Sequence, residues 1–284
     1  VSRRNSYQPV YRQFISEIEK GFLLLDKMSR AEVIEFIKTQ QHKNGAFTDR
    51  AENPDLYYSL FGCWLSKGLK LNEQLKKLNQ YISTLQQDEK KVIDRFSLLL
   101  IRLSLDEEQF QKPSFFELFR WLSKSGKNVN TAYRFFLFML SFDALFGKNR
   151  IVYFFVRIFL KFYKLPEDLP CSFSAALLMA KFLTGKNVKQ EAAILLHYFE
   201  KGKGFKVFPE QTNADLLSTA VALFALQKVG QDIRTLAPDC LNLVQENYEN
   251  GAFLSGDGDS SRDLEYTFYG LLTLGVLSEK NSPQ

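Results

Sequence analysis

Asn44-Gly45-Ala46-Phe47 recurs, letter for letter, as Asn250-Gly251-Ala252-Phe253. Each copy is followed by an aspartate that opens an apolar run: Asp55 before Leu56 to Leu65, and Asp263 before Leu264 to Leu274. A weaker third copy, Lys203-Gly204-Phe205, precedes Asp215 and the run Leu216 to Leu226. Glycine in such a turn supplies the positive φ that ends a helix, and the Phe is free to fold back as a plug. Aspartate is a good N-cap because its carboxylate accepts from the free amides of the first turn. The unit reads as helix, glycine turn, Asp cap, helix.

Working outward, similar helix starts without the glycine turn stand at Asp94, Thr131 and Ser172. The six starts are 37 to 48 residues apart, a period typical of helix-pair repeats. Apolar residues recur at helical spacing, as in Leu75, Leu78, Ile82 and Leu85, and strand signals are scarce. Six more polar, amphipathic helices are expected near 30–41, 72–85, 113–124, 150–163, 188–200 and 234–247, with an extra N-terminal helix over 10–25. The six that start at the caps are apolar nearly all round, so both their sides should be buried. The expectation is an all-α protein, an α6/α6 toroid: one domain over 1–284, with an N-terminal helix in 1–28 and six helix-pair repeats in 29–280. An open solenoid would need polar end caps. The last helix, from Asp263 to Leu277, is as apolar as the middle ones, which favours closure.

Composition narrows the function classes. Hydrophobic residues make up 45% of the chain, with 27 Phe and 12 Tyr, enough for a large aromatic core. The net charge is +5, but the lysines are scattered and no arginine-rich arm accompanies them. The excess reads as solubility, and no nucleic-acid partner is expected. Cys63, Cys171 and Cys240 are odd in number and widely spaced, as reduced thiols in a cytoplasmic protein would be. The longest apolar stretches, Phe135 to Phe146 and Ile151 to Tyr163, are broken by Asp143, Arg157 and Lys161. Neither reaches the ~18 uninterrupted residues of a membrane span. No signal-peptide pattern opens the sequence, although a start at Val1 leaves export open.

The stretch from Asn44 to Phe61 resembles the Gly-Gly-Phe…Asp-x-x-His-Thr-Leu-Phe repeat of protein prenyltransferase β subunits. The stretch from Gly251 to Tyr269 is similar to that family's last catalytic repeat, including the Ser261-Arg262-Asp263 that starts its inner helix. Ala132-Tyr133, after Asn128-Val129-Asn130-Thr131, resembles the family's Asp-Val-Arg-Ser-Ala-Tyr. The resemblance covers most of the chain and extends to the terpenoid cyclases that share the α/α toroid. It implies a central funnel lined by the inner helices. In that family a zinc ion holds the substrate thiolate, through an Asp-x-Cys and a His at inner-helix starts. Here the aspartate falls on Asp215, the cysteine on Leu217, and the histidine on Tyr266 (or on Tyr58, if the first repeat is matched). Two of three ligands are replaced by residues unsuited to zinc, and His42 and His197 offer no substitute cluster. No metal or cofactor is expected, and zinc-dependent prenylation is disfavoured. The family's diphosphate-binding Arg corresponds to Asn130. Lys203 and Lys206 lie near its other basic positions without matching their spacing.

Tyr57, Tyr58, Trp64, Tyr133, Phe135, Phe173, Tyr266 and Tyr269 lie on inner helices, where a toroid lines its funnel. With Asp215 and Arg134, the Tyr and Trp residues among them (Tyr57, Tyr58, Trp64, Tyr133, Tyr266, Tyr269) are the expected binding set for an isoprenoid or other lipid-like ligand. Arg134 sits within an apolar helix, so its guanidinium must pair with an acid such as Asp143 or Asp94, or serve as an anion clamp. The leading expectation is a prenyltransferase-like protein with an aromatic cavity for an apolar ligand. The alternative is a catalytically inactive ring that binds a protein partner, its cavity filled by its own Phe side chains. Cyclase chemistry would need an Asp-x-Asp-Asp motif, and Asp257-Gly258-Asp259-Ser260 lacks the last acid. The same loop has oxygen ligands that could hold calcium but lacks the EF-hand glycine and terminal Glu. A glycosidase would need two opposed carboxylates and aromatic platforms, with only Trp64 and Trp121 at hand.

Overall fold

The computed structural model describes residues 7–85, 92–107, 110–123, 131–147, 154 and 169–278. Among them the chain is mostly helical: α1 (Val10–Leu24), α2 (Lys27–Thr39), α3 (Leu56–Gly68), α4 (Asn72–Ser83), α5 (Val92–Ser104), α6 (Phe115–Ser123), α7 (Thr131–Phe146), α8 (Cys171–Leu183), α9 (Lys189–Leu196), α10 (Leu216–Lys228), α11 (Ala237–Glu246) and α12 (Leu264–Ser278). Two antiparallel pairs of two-residue strands, β1 (Phe199–Glu200) with β2 (Gly204–Phe205) and β3 (Tyr248–Glu249) with β4 (Ala252–Phe253), form two of the three glycine turns, and a single bridge, Gln41 with Phe47, closes the first. Of the helix expected at 150–163 only Phe154, which is helical, falls among the described residues. No described helix is long and apolar enough to cross a membrane.

The caps and plugs form as the sequence implies. Asp55 accepts from the Tyr58 amide at 2.8 Å, Asp263 from Tyr266 at 2.8 Å, and Asp215 from Ser218. The turn phenylalanines are held by one repeated device. Phe47 N donates to Ser59 Oγ (2.9 Å), Phe205 N to Thr219 Oγ1 (3.1 Å), and Phe253 N to Thr267 Oγ1 (3.3 Å). The rings of Phe47 and Phe253 press on Gly62 and Gly270, where a Cβ would stand 2.4 Å from ring carbons. Only glycine leaves room for that approach. All three phenylalanines are buried, each worth about 2–3 kcal/mol in transfer terms. Two starts differ from expectation. Asp94 lies in the first turn of α5 instead of capping it, and α8 starts at Cys171 behind the extended Pro170. Proline suits that place because a helix start has no use for its missing N–H.

The apolar helices pack in order, α3 on α5, then α7, α8, α10 and α12, and α12 packs back on α3. Each glycine turn seats on the next amphipathic helix along. A Cβ on Gly45 would meet Lys77 O of α4 at 2.2 Å, and one on Gly204 would meet Leu243 of α11 at 3.1 Å. The turn at 250–253 instead seats on α2, far back in the sequence: a Cβ on Gly251 would meet Glu32 O at 2.2 Å. Tyr248 adds a hydrogen bond to Glu32 Oε2 at 2.7 Å.

The N-terminal helix is not peripheral. α1 packs on α12, α3 and α7, with its most extensive contact on α12. That contact is backbone on backbone. A Cβ on Gly275 would stand 1.8 Å from Glu17 O, and one on Gly21 would stand 2.0 Å from Leu271 O. The buried Glu17 is paired with Lys20 (3.1 Å) and Lys228 (3.5 Å). Phe14, 3% exposed, lies 4.6 Å from the Phe224 ring centre and 5.9 Å from that of Phe268. The rings of Trp64 and Phe136 are each 6.3 Å away. One side chain of α1 therefore touches rings from four different core helices. Cys63, Cys171 and Cys240 are free and buried, and burial raises all three thiol pKa values.

Candidate functional site

The caps bring a group of hydroxyls and carboxyls together at the N-terminal ends of the core helices. Tyr57 and Tyr58 follow the Asp55 cap of α3, Tyr133 lies in the first turn of α7, and Glu265 and Tyr266 follow the Asp263 cap of α12. Tyr57 Oη donates to Glu265 Oε1 at 2.7 Å, and the Tyr133 hydroxyl bonds the same carboxyl group. The Tyr57 ring stands perpendicular to those of Tyr58 (5.8 Å) and Tyr133 (5.6 Å). Tyr269, one turn along α12, lies 6.4 Å from Tyr266. Five of the expected site tyrosines thus surround one carboxyl group.

Glu265 is 5% exposed. Burial pushes its pKa up to about 8, against the bonds from Tyr57 and Tyr133 that favour the charged form. At neutral pH it is therefore mainly a neutral acid. Burial also pushes Asp215 up to about 6, with the charge of Asp257 adding to it. The hydroxyls of Tyr57, Tyr133, Tyr266 and Tyr269 are raised by burial and then by neighbouring acids, chiefly Glu265 and Asp215. One cation stands over this group. Arg50, on the loop between α2 and α3, donates from Nε to Asp263 Oδ2 at 2.7 Å and pairs with Asp259. Its guanidinium lies 5.8 Å from the Tyr266 ring centre.

Behind the tyrosines the lining turns apolar and is filled. Phe61 and Trp64 pack on Phe268, and Phe14 completes the layer. Trp64 is wholly buried, with its indole N–H bonded to Ser104 Oγ at 2.9 Å, so it is core. A cavity of about 50 Å³ beside Phe14, between α7, α8 and α10, is room for a few waters. Arg134 has no hydrogen-bond or ion-pair partner among the described residues, and its Nε is buried without one. Asp143, one of the two acids expected as its partner, instead accepts from Val10 N at 2.7 Å and from the Tyr7 hydroxyl.

Of the positions that the resemblance matched to zinc ligands, Asp215 is engaged as a helix cap, Leu217 is apolar and Tyr266 carries a protonated phenol. No group of three His, Cys, Asp or Glu residues suited to a metal occurs among the described residues. In the 257–263 loop the carboxylates are taken by the chain itself. Asp257 accepts from the Asp259 amide (3.1 Å), Asp259 from that of Ser261 (2.9 Å), and Asp263 from Tyr266 and Arg50. That is a capped turn. Sequence reasoning missed Glu265, Arg50 and Phe14. Glu265 could have been found as the lone acid inside an apolar helix. The chain matches no protein-family model, no curated protein and no solved structure.

Proposed function

We propose that the chain is a closed α/α toroid of the prenyltransferase and terpenoid cyclase type, its funnel filled from within, and that it works as a protein-interaction module. The cyclic order of the core helices and the seating of the last glycine turn on α2 support the toroid. The observation that carries the functional reading is Phe14, which occupies the middle of the aromatic layer where an apolar ligand would lie. Small-molecule sites enclose roughly 300–1,000 Å³. The cavity beside Phe14 offers about 50 Å³.

A second reading, the isoprenoid or lipid ligand, is favoured by Glu265. A neutral carboxyl group among tyrosine faces is a perturbed acid of the kind that marks functional sites. Titration of the full chain with farnesyl and geranylgeranyl diphosphate, followed by tryptophan and tyrosine fluorescence, separates the two. The filled funnel predicts no saturable change for either compound. Saturable binding, weakened by Arg134→Ala or Glu265→Gln, would overturn the interaction reading and establish the ligand site.

A further inference from the structure

A cleft of about 420 Å³ opens where the start of α1 meets the C-terminal ends of α5 and α7. It lies at the opposite ends of the core helices from Glu265, and its volume falls within the range of small-molecule sites, roughly 300–1,000 Å³. Pro9, Leu103 and Leu145 give it an apolar wall, and Arg12, Asp106, Glu107 and Lys112 bring charge to the rest.

The lining carries two cations and two acids, and further cations stand behind the acids. Asp106 is held by Arg12 at 2.7 Å and Lys67 at 3.0 Å, and Glu107 by Arg102 at 3.4 Å. Three cations already answer these two acids. Lys112 is a fourth, with no hydrogen-bond or ion-pair partner among the described residues. Arg12 is fixed in place, because its Nε donates to Tyr11 Oη (3.0 Å), whose own O–H donates to Leu103 O (3.2 Å). Counting Asp143, which bonds the lining Tyr7, the described cations outnumber the acids by four to three, and beside an apolar wall this suits a ligand with an anionic head and a short hydrocarbon body.

We propose that this cleft binds an amphipathic anion, with its carboxylate, sulfate or phosphate head on Lys112 and Arg12 and its body on Pro9, Leu103 and Leu145. The inference does not depend on what the tyrosine cluster does. A fixed guanidinium and an exposed lysine divide the work: Arg12 sets where the head lies, and Lys112 meets it from the surface.

Calorimetric titration of the full chain with octyl phosphate, octanol and inorganic phosphate tests it. Octyl phosphate should bind saturably, with octanol and phosphate at least tenfold weaker, since each lacks half of the recognised chemistry. Lys112→Glu should weaken octyl phosphate at least tenfold, about the loss of one charge-assisted hydrogen bond. Lys76→Glu, at an exposed lysine of α4, should leave it unchanged. Lys112 is exposed, so its variant should fold, and circular dichroism checks that it has. Absence of saturable heat, equal binding of octanol and octyl phosphate, or equal loss in the two lysine variants would each overturn the proposal.

Discussion

The turns at 44–47 and 250–253 have the same four residues and do the same local job at different distances. Both bury a phenylalanine, both bond its amide to a hydroxyl of the following helix, and both press the ring onto a glycine. Their backbones differ. In the second turn both Asn250 and Gly251 take positive φ (46° and 84°), as a two-residue hairpin requires, while the first has only Gly45 at 97°. Their partners differ more. Gly45 rests on Lys77, the next amphipathic helix in sequence, and Gly251 rests on Glu32, more than 200 residues back. A short motif therefore fixes how a helix pair is joined and leaves open which helix receives it. The order of packing decides that.

This contrast can be broken at several places. The largest effect is expected at Gly275, where α1 and α12 meet backbone to backbone. Gly275→Leu should cost at least about 4 kcal/mol in denaturant unfolding, because any side chain must displace Glu17 O and with it α1. A loss under 1 kcal/mol would mean that α1 is not part of the core.

Next come the plugs themselves. Phe47→Ala and Phe253→Ala should each cost about 4 kcal/mol, since both remove a buried ring above a glycine. Hydrogen exchange should tell them apart. The first should speed exchange in the neighbouring helices α2 to α4, and the second should speed α12 and α2 together. Identical exchange maps would show that the last turn does not hold the chain's two ends.

The smallest effect is electrostatic and belongs to the closing contact alone. Tyr57–Glu265 and Arg50–Asp263 join the first repeat to the last, whereas no ion pair or carboxyl group takes part in the Phe47 device. Glu265 has a folded pKa of about 8 against an unfolded value near 4.3. Between those values the native state holds the extra proton, so stability should fall as pH rises from about 4 to 8. Asp215, pushed up to about 6, adds the same sign over the lower part of that window. Glu265→Gln should flatten the slope and raise Tm by a few degrees at pH 8, with little change at pH 4. An unaltered slope would remove Glu265 as its source.

The parts that were legible in the sequence are those whose causes are local. Asp55, Asp215 and Asp263 read as caps because capping needs only an acid before an apolar run, and the glycine turns read as turns for a similar reason. The tyrosine group was also within reach, since Tyr57, Tyr58, Tyr133, Tyr266 and Tyr269 all follow helix starts. The place of α1 was not. Gly21 and Gly275 carry no signal beyond small size, and Phe14 is one of 27 phenylalanines until its four neighbours are known. Arg134 shows the opposite limit: its place within an apolar helix was legible, but the prior engagement of Asp143, one of the two acids named as its partner, was not. That acid is taken by Val10 and Tyr7 of the same N-terminal segment.

The seating of the last turn on α2 also bears on how such a chain can change over generations. An open array can gain or lose a unit at its end, because each unit answers only to its neighbours. Here the last described turn rests on α2 and α12 rests on α1 and α3. Duplicating or deleting one helix pair would leave Gly251 and Tyr248 without Glu32, and α12 without α1. In the ring proposed above, a change of copy number would therefore have to remake the closing contact as well.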